Sequence, residues 1–256
     1  MKLAITGVAG YIGRLFAERV VHERVAERVV GIDVAPVSFA ESQLHYVQRD
    51  VRDPLLARDL AGSDAVVHFA FIVETLRDRR LMYDVNVHGT RNVLSACEQN
   101  GVKTLIVASS IAAYGVQQDH VITEATPCLG DARSFYGHTK RLVEDELDVF
   151  AARNPQVRLV RVRPSLLLGP RCNTWALAAM AELGRFDTRR GMRLPVIHEE
   201  DVVEVFIRAL TRPVSGPLLV AHRESLTMRE VAPLLGRKPM VLPASWLLRL
   251  GDAAFA

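Results

Sequence analysis

The sequence predicts an α/β fold: a doubly wound parallel sheet with a small lobe at its C-terminal end. Three observations predict it. Short runs rich in β-branched residues alternate with longer runs of helical periodicity. A glycine-rich turn, Gly7-Val8-Ala9-Gly10-Tyr11-Ile12-Gly13, lies between the first such pair. The chain of 256 residues, 49% hydrophobic and 24% charged, suits one large α/β unit with an appendage.

The elements follow in order. Lys2–Thr6 is a short apolar run, and Tyr11–Glu23 has helical spacing. Val29–Asp33 is a second strand that ends on an acid, and a third falls around Leu44–Val47. Ala65–Phe69 follows, then a long helical stretch over Leu81–Gln99. Thr104–Ser109 is the next strand, Phe135–Arg153 a helix and Val157–Val162 another strand. Such alternation gives a sheet covered by helices on both faces, binding ligands at the C-terminal ends of its strands. After Pro164 glycine, proline and arginine become denser. Residues 1–168 are therefore read as the main domain and 169–256 as a small helical substrate lobe. The stretch of about 192–222, with a helix over His198–Leu210, returns to the main domain.

Composition narrows the function. Basic and acidic residues are mixed, the net charge is +3 and aromatics make up 6%. Without a basic stripe, nucleic-acid binding is not expected. No apolar run approaches 18 residues, so no membrane span is expected. The first strand begins at Lys2, which leaves no room for a leader peptide, and the three scattered cysteines suit a reducing, cytoplasmic setting.

The glycine turn sits where a strand hands over to a helix. Glycines there allow the tight turn and let backbone N–H groups approach a pyrophosphate. Asp33 lies about twenty residues past Gly13, where a carboxylate accepts a hydrogen bond from a ribose 2′-hydroxyl and repels a 2′-phosphate. This makes the sheet Rossmann-type and favours NAD over NADP, although Asp33 also suits a strand-end turn. Asp50, after the third strand, is placed to receive an adenine amino group, while Asp53 suits a helix cap before Pro54.

Tyr136 and Lys140 stand four residues apart, on one face of a helix. A phenol titrates near 10 and is a poor base at neutral pH, and a nearby ammonium favours the phenolate. Tyr136 then exchanges a proton with a substrate hydroxyl while hydride moves to the nicotinamide. Ser109 and Ser110 follow the strand Thr104–Ala108, and a serine there can fix the reacting oxygen. Ser110, Tyr136 and Lys140 are the candidate catalytic residues.

These residues resemble the extended type of the short-chain dehydrogenase/reductase superfamily, the branch of nucleotide-sugar epimerases and dehydratases. The resemblance covers about residues 1–210. Further strings carry it. His68-Phe69-Ala70 is similar to an HxA string, and Asn86 to Asn92 to NVxGTxN. Thr123-Glu124 with Pro127 is similar to TExxP. Arg163-Pro164 with Gly169-Pro170 is similar to RPxxxxGP, and His198 to Asp201 to HxxD. Carried over residue by residue, the resemblance implies NAD lined by Gly7, Gly10, Tyr11, Ile12, Asp33, Asp50, Val51, Phe69, Ala70, Asn86, Ser109 and Pro164, with Gly13 completing the turn. It implies that Tyr136 is the acid–base, that Lys140 binds the ribose and that Ser110 orients the substrate oxygen. Asn86 equally suits a helix cap, and His68 a structural role. Arg193 is a candidate for a substrate phosphate.

The resemblance also implies a homodimer built on the two long helices, through Val87, Leu94, Leu142 and Val149. The departures concern substrate: no carboxylate accompanies Ser110, Leu166 stands where some epimerases carry Asn, and the C-terminal lobe is short. Three readings stay open. One is an NAD-dependent epimerase-like enzyme acting on a nucleotide sugar. The others are a ketoreductase or alcohol dehydrogenase on a non-sugar substrate, and a non-catalytic dinucleotide sensor.

Overall fold

The computed structural model describes residues 1–37, 43–73, 78–116, 121–131, 133–172, 186–187, 193–227, 230, 233 and 240–241. Strand β1 (Lys2–Thr6) leads into α1 (Tyr11–His22), then β2 (Arg28–Asp33) and β3 (Leu44–Gln48). The short α2 (Leu56–Asp59) precedes β4 (Ala65–His68). The expected long helix over Leu81–Gln99 is three segments. These are α3 (Arg79–Tyr83), a π-helical stretch (Asp84–Gly89) and α4 (Thr90–Gln99). Then come β5 (Thr104–Ala108), a 3₁₀ turn (Ile111–Tyr114), α5 (Phe135–Arg153) and β6 (Arg158–Pro164). Farther on are β7 (Leu166–Leu168), β8 (Phe186–Asp187) and β9 (Arg193–His198). The chain continues with α6 (Glu199–Thr211), β10 (Gly216–Val220), β11 (Ser225–Thr227) and β12 (Met240–Val241).

The main sheet has seven strands in the order β10-β6-β5-β4-β1-β2-β3, all parallel. Its central strands read as continuous buried runs, because helices cover both faces. The order reverses between β1 and β4, which opens a crevice beyond their C-terminal ends. The alternating sequence pattern predicts this sheet correctly, but not its seventh strand, β10.

Two compact units divide the chain. One holds Met1–Pro164 with Glu200–Val220, the other Ser165–Glu199 with Ala221–Ala256. In the first unit, α6 packs Phe206 against Phe16 and Phe69 at centroid distances of 6.1 and 4.6 Å. Arg158, at the start of β6, donates to the carbonyls of Ala209, Leu210, Arg212 and Val214 and so satisfies the C-terminal end of α6.

The second unit adds strands that the sequence pattern does not predict. Its described residues form a three-stranded mixed sheet, β11-β9-β7, and the short pair β12-β8. Most of the sequence expected to be helical there lies outside the described residues, including the C-terminal stretch from Trp246. Among the described residues no helix is long and apolar enough to cross a membrane.

Candidate functional site

The site begins at the C-terminal edge of β1. Gly7 has φ of +76°, and a Cβ there would sit 2.5 Å from the Ala70 backbone nitrogen. A Cβ on Gly13 would sit 2.0 Å from Gly7 O. These two glycines let one stretch of backbone pass another. Gly10 is different, for a Cβ there meets only Gly7 O, at 3.2 Å. Tyr11 and Ile12 open α1, whose N-terminus has no side-chain cap. That leaves a cradle fit for a pyrophosphate.

Asp33 ends β2. Its carboxylate accepts from the Ala9 N–H at 2.9 Å and the Ala35 N–H at 3.0 Å. It therefore braces the glycine turn and also holds the strand end. Asp50 is held by Arg52, which donates its backbone N–H and its guanidinium. This ion pair holds the Asp50 carboxyl below its usual range against burial. Asp53 accepts from the Leu55 N–H at 2.8 Å, in the turn before α2 rather than as the helix cap expected for it, since Leu55 is the N-cap. Val51 is buried, and it explains Gly89: a Cβ there would lie 2.7 Å from a Val51 methyl. Asn92 then donates to the carbonyls of Val51 and Asp53.

Phe69 and Ala70 follow β4 on the other side of the crevice. Asn86 is buried within the π-helical stretch. Its Oδ1 accepts from the Ile72 N–H at 2.8 Å, and its Nδ2 donates to Ile72 O at 3.0 Å and to Thr139 Oγ1 at 3.2 Å. The amide is thus spent on a clamp between a loop and α5, rather than on a helix cap. His68 is wholly buried, bonded to Thr6 Oγ1 at 2.6 Å and Thr90 Oγ1 at 3.1 Å. Since the Thr90 hydroxyl donates to Asn86 O, it accepts from His68 Nε2–H, and Thr6 donates to Nδ1. Burial pushes His68 down to about 3. It is a neutral core residue, not an acid–base.

The catalytic candidates meet at the end of β5. Ser110 opens the 3₁₀ turn, and its hydroxyl oxygen accepts from the Ala112 N–H at 3.1 Å. Ser134 caps α5 and sets the helix so that Tyr136 and Lys140 share a face. Tyr136 and Ser110 are hydrogen-bonded. Burial pushes the phenol up to about 12, and the Ser110 bond only partly offsets this. Lys140 is almost wholly buried and donates to Ala108 O at 2.6 Å. Burial pushes its ammonium well below the usual range, opposed by Glu144 one turn on. The Lys140 Nζ lies 5.8 Å from the Tyr136 ring centre, and Ser110 supplies the interaction that lowers the phenol.

Behind this edge lies a charged cluster that the sequence reading did not single out. Ser109 Oγ donates to Glu144 at 2.5 Å, and Arg163 grips both oxygens of Glu144 at 2.9 and 2.8 Å. Arg163 also donates to Tyr114 Oη at 2.8 Å. Burial would raise the Glu144 carboxyl, but Arg163 and Ser109 hold it below its usual range. The available signal was Arg161 and Arg163 at alternate positions between the valines of β6, since buried guanidiniums require a carboxylate. Ser109 thus spends its hydroxyl on the cluster, and Pro164 ends β6 in register with Val220. Arg193 lies in the second unit, where its guanidinium donates to Ser225 across the β9–β11 pair. Of the expected dimer contacts, Val87 and Leu94 lie in the core of the chain and only Val149 is well exposed.

Fold and site together define a Rossmann-type parallel sheet with Ser110, Tyr136 and Lys140 at the C-terminal edge of β5. Residues 3–220 match the NAD dependent epimerase/dehydratase family, and the chain belongs to it. A relative from Escherichia coli O157:H7, N-acetyl-alpha-D-glucosaminyl-diphospho-ditrans,octacis-undecaprenol 4-epimerase, is 34% identical over 178 residues, 66% of this chain and 50% of its own. An uncharacterised protein of Mycobacterium tuberculosis is 28% identical over 254 residues, 97% of this chain and 25% of its own. The chain therefore spans a quarter to a half of the length of these curated relatives. Among solved structures, Thermus thermophilus UDP-glucose 4-epimerase in complex with NAD is 25% identical with a TM-score of 0.78, covering 95% of this chain and 86% of its own. A dTDP-glucose 4,6-dehydratase from Streptomyces venezuelae, at 22% identity and TM-score 0.80, shares the fold over 95% of this chain and 84% of its own.

Proposed function

We propose that the protein is an NAD-dependent oxidoreductase of epimerase/dehydratase type, acting at a secondary alcohol or ketone carried on a nucleotide sugar. The observation that carries this reading is the convergence of Ser110, Tyr136 and Lys140 at the C-terminal edge of β5, in the sheet whose β1 edge holds the glycine cradle. The residues present fit the dinucleotide. Gly10 and the start of α1 would hold the pyrophosphate, and Asp33 a ribose. Bound NAD supplies the hydride acceptor. Ser110 holds the reacting oxygen beside the phenol, and the Tyr136 phenol carries the proton. Because burial keeps that phenol protonated at neutral pH, it is ready as a donor in the reducing direction. In the oxidising direction it needs a positive charge brought beside it. Support for a sugar substrate comes from relatives named as UDP-glucose 4-epimerases and as a 4-epimerase of a lipid-linked sugar diphosphate. A homodimer would have to use surfaces other than Val87 and Leu94.

A second reading, a ketoreductase on a non-sugar substrate, draws on the apolar Ile111-Ala112-Ala113 that follows Ser110. One experiment separates them. Purified protein is denatured, and the released small molecules are identified by absorbance and mass. About one NAD per chain is expected, with binding of a uridine or thymidine diphosphate sugar at millimolar concentration. Protein that comes empty but turns over added NAD(H) with a simple alcohol or ketone favours the second reading. Protein that binds no dinucleotide overturns both.

A further inference from the structure

The chain leaves β4 through Phe69, Ala70 and Phe71. The Phe71 N–H turns back to Phe69 O at 2.8 Å, and the next residue, Ile72, is held at both its N–H and its carbonyl by Asn86. Between these ties the Phe71 ring lies against His68, with centroids 4.5 Å apart and planes inclined by 49°. Lys140 Nζ stands over the same ring, 3.1 Å from its centroid. An ammonium over a π face is attracted by the ring quadrupole, and most strongly where water is excluded.

The other groups facing Lys140 are few. Glu144 and Tyr136 stand on its own helix, Ala108 O comes from β5, and His68 from β4 is neutral. We propose that Phe71 is a positioning residue for Lys140, holding it charged and aimed. Ala108 O takes one N–H, the Phe71 ring takes a second, and the third is left for the cofactor ribose. The neutrality of His68 is part of the device, because a second cation against the ring would compete with Lys140. This deepens the functional reading above and rests on it for the role of Lys140.

The test is a ¹³C NMR titration of protein labelled at lysine Cε and stripped of dinucleotide. The chain has four lysines, Lys2, Lys103, Lys140 and Lys238, so the spectrum of Lys140→Arg assigns the signal. Phe71→Leu, which keeps bulk and loses the quadrupole, is expected to lower the Lys140 midpoint by about one pH unit, and Phe71→Tyr to restore it. A Phe71→Leu midpoint equal to that of the wild type overturns the proposal, whatever happens to the melting temperature. Should Phe71→Leu not fold, Phe71→Trp decides. The stronger quadrupole raises the midpoint, and an unchanged or lower value overturns the proposal. Because no dinucleotide is present, failure of NAD to bind would sink the functional reading and leave this result intact.

Discussion

Tyr136 rests as a protonated phenol, bonded to Ser110, with a buried ammonium four residues on. Tyr136→Phe removes the proton carrier and keeps the ring. It is expected to cut turnover by about 10²–10⁴-fold while leaving the dinucleotide Kd, measured by fluorescence titration, within about twofold, a shift below roughly 0.5 kcal/mol. A loss of binding as large as the loss of turnover would show that the residue holds the cofactor rather than the proton. For the wild type, the oxidising direction is expected to accelerate as pH rises, since the phenol must ionise, and a flat profile between pH 6 and 10 would contradict this. At this scale the sequence shows Ser110, Tyr136 and Lys140 because fixed spacings on one strand end and one helix bring them together. Asn86, Ser109 and Arg193 are harder to read. Each is polar and suitably placed, yet its partner is far away in the chain: Ile72 and Thr139, Glu144, and Ser225. Whether a polar side chain faces a ligand or the protein depends on tertiary neighbours that local spacing does not encode.

The three glycines of the first turn serve different ends, and the difference is measurable. Gly13→Ala drives a Cβ into Gly7 O and is expected to destabilise the protein by about 2 kcal/mol or more. Gly10→Ala meets only one atom at 3.2 Å. It is expected to hold the melting temperature within about 4 °C, a stability change of roughly 1 kcal/mol. The same change is expected to weaken the dinucleotide about tenfold, as read by calorimetry. Equal melting temperatures for the two variants would contradict this division of labour. Elements with strong periodicity, such as α1 and α5, are legible to within a residue or two. The π-helical stretch is not. It exists so that Asn86 and Thr90 reach Ile72 and His68, a tertiary demand that overrides helix periodicity. The short strands of the second unit escape notice for a related reason: three residues are too few to display alternation.

Over the whole molecule, buried neutral His68 makes stability depend on acidity. Its folded-state value, about 3, lies below the ordinary 6.5 of an unfolded chain. Its contribution is therefore complete above pH 6.5 and is lost as pH falls toward 3, at about 1.4 kcal/mol per pH unit. Thermal melts at pH 7 and pH 5 are expected to show this fall. His68→Gln, neutral throughout, should melt lower at pH 7 but lose less between the two, and parallel losses would rule the histidine out as the source. The same unit has another property that follows from Arg158 and β10. Its seventh strand and the helix end that Arg158 caps are separated from the rest of the unit by Ser165–Glu199. A ribosome delivers the chain from the N-terminus, so β6 waits with an unpaired edge while those residues are made. Until β10 arrives, the growing chain presents a parallel-strand edge of apolar Leu159, Val160 and Val162. Nascent protein stalled in that interval is the species that would recruit a chaperone or pair with another chain.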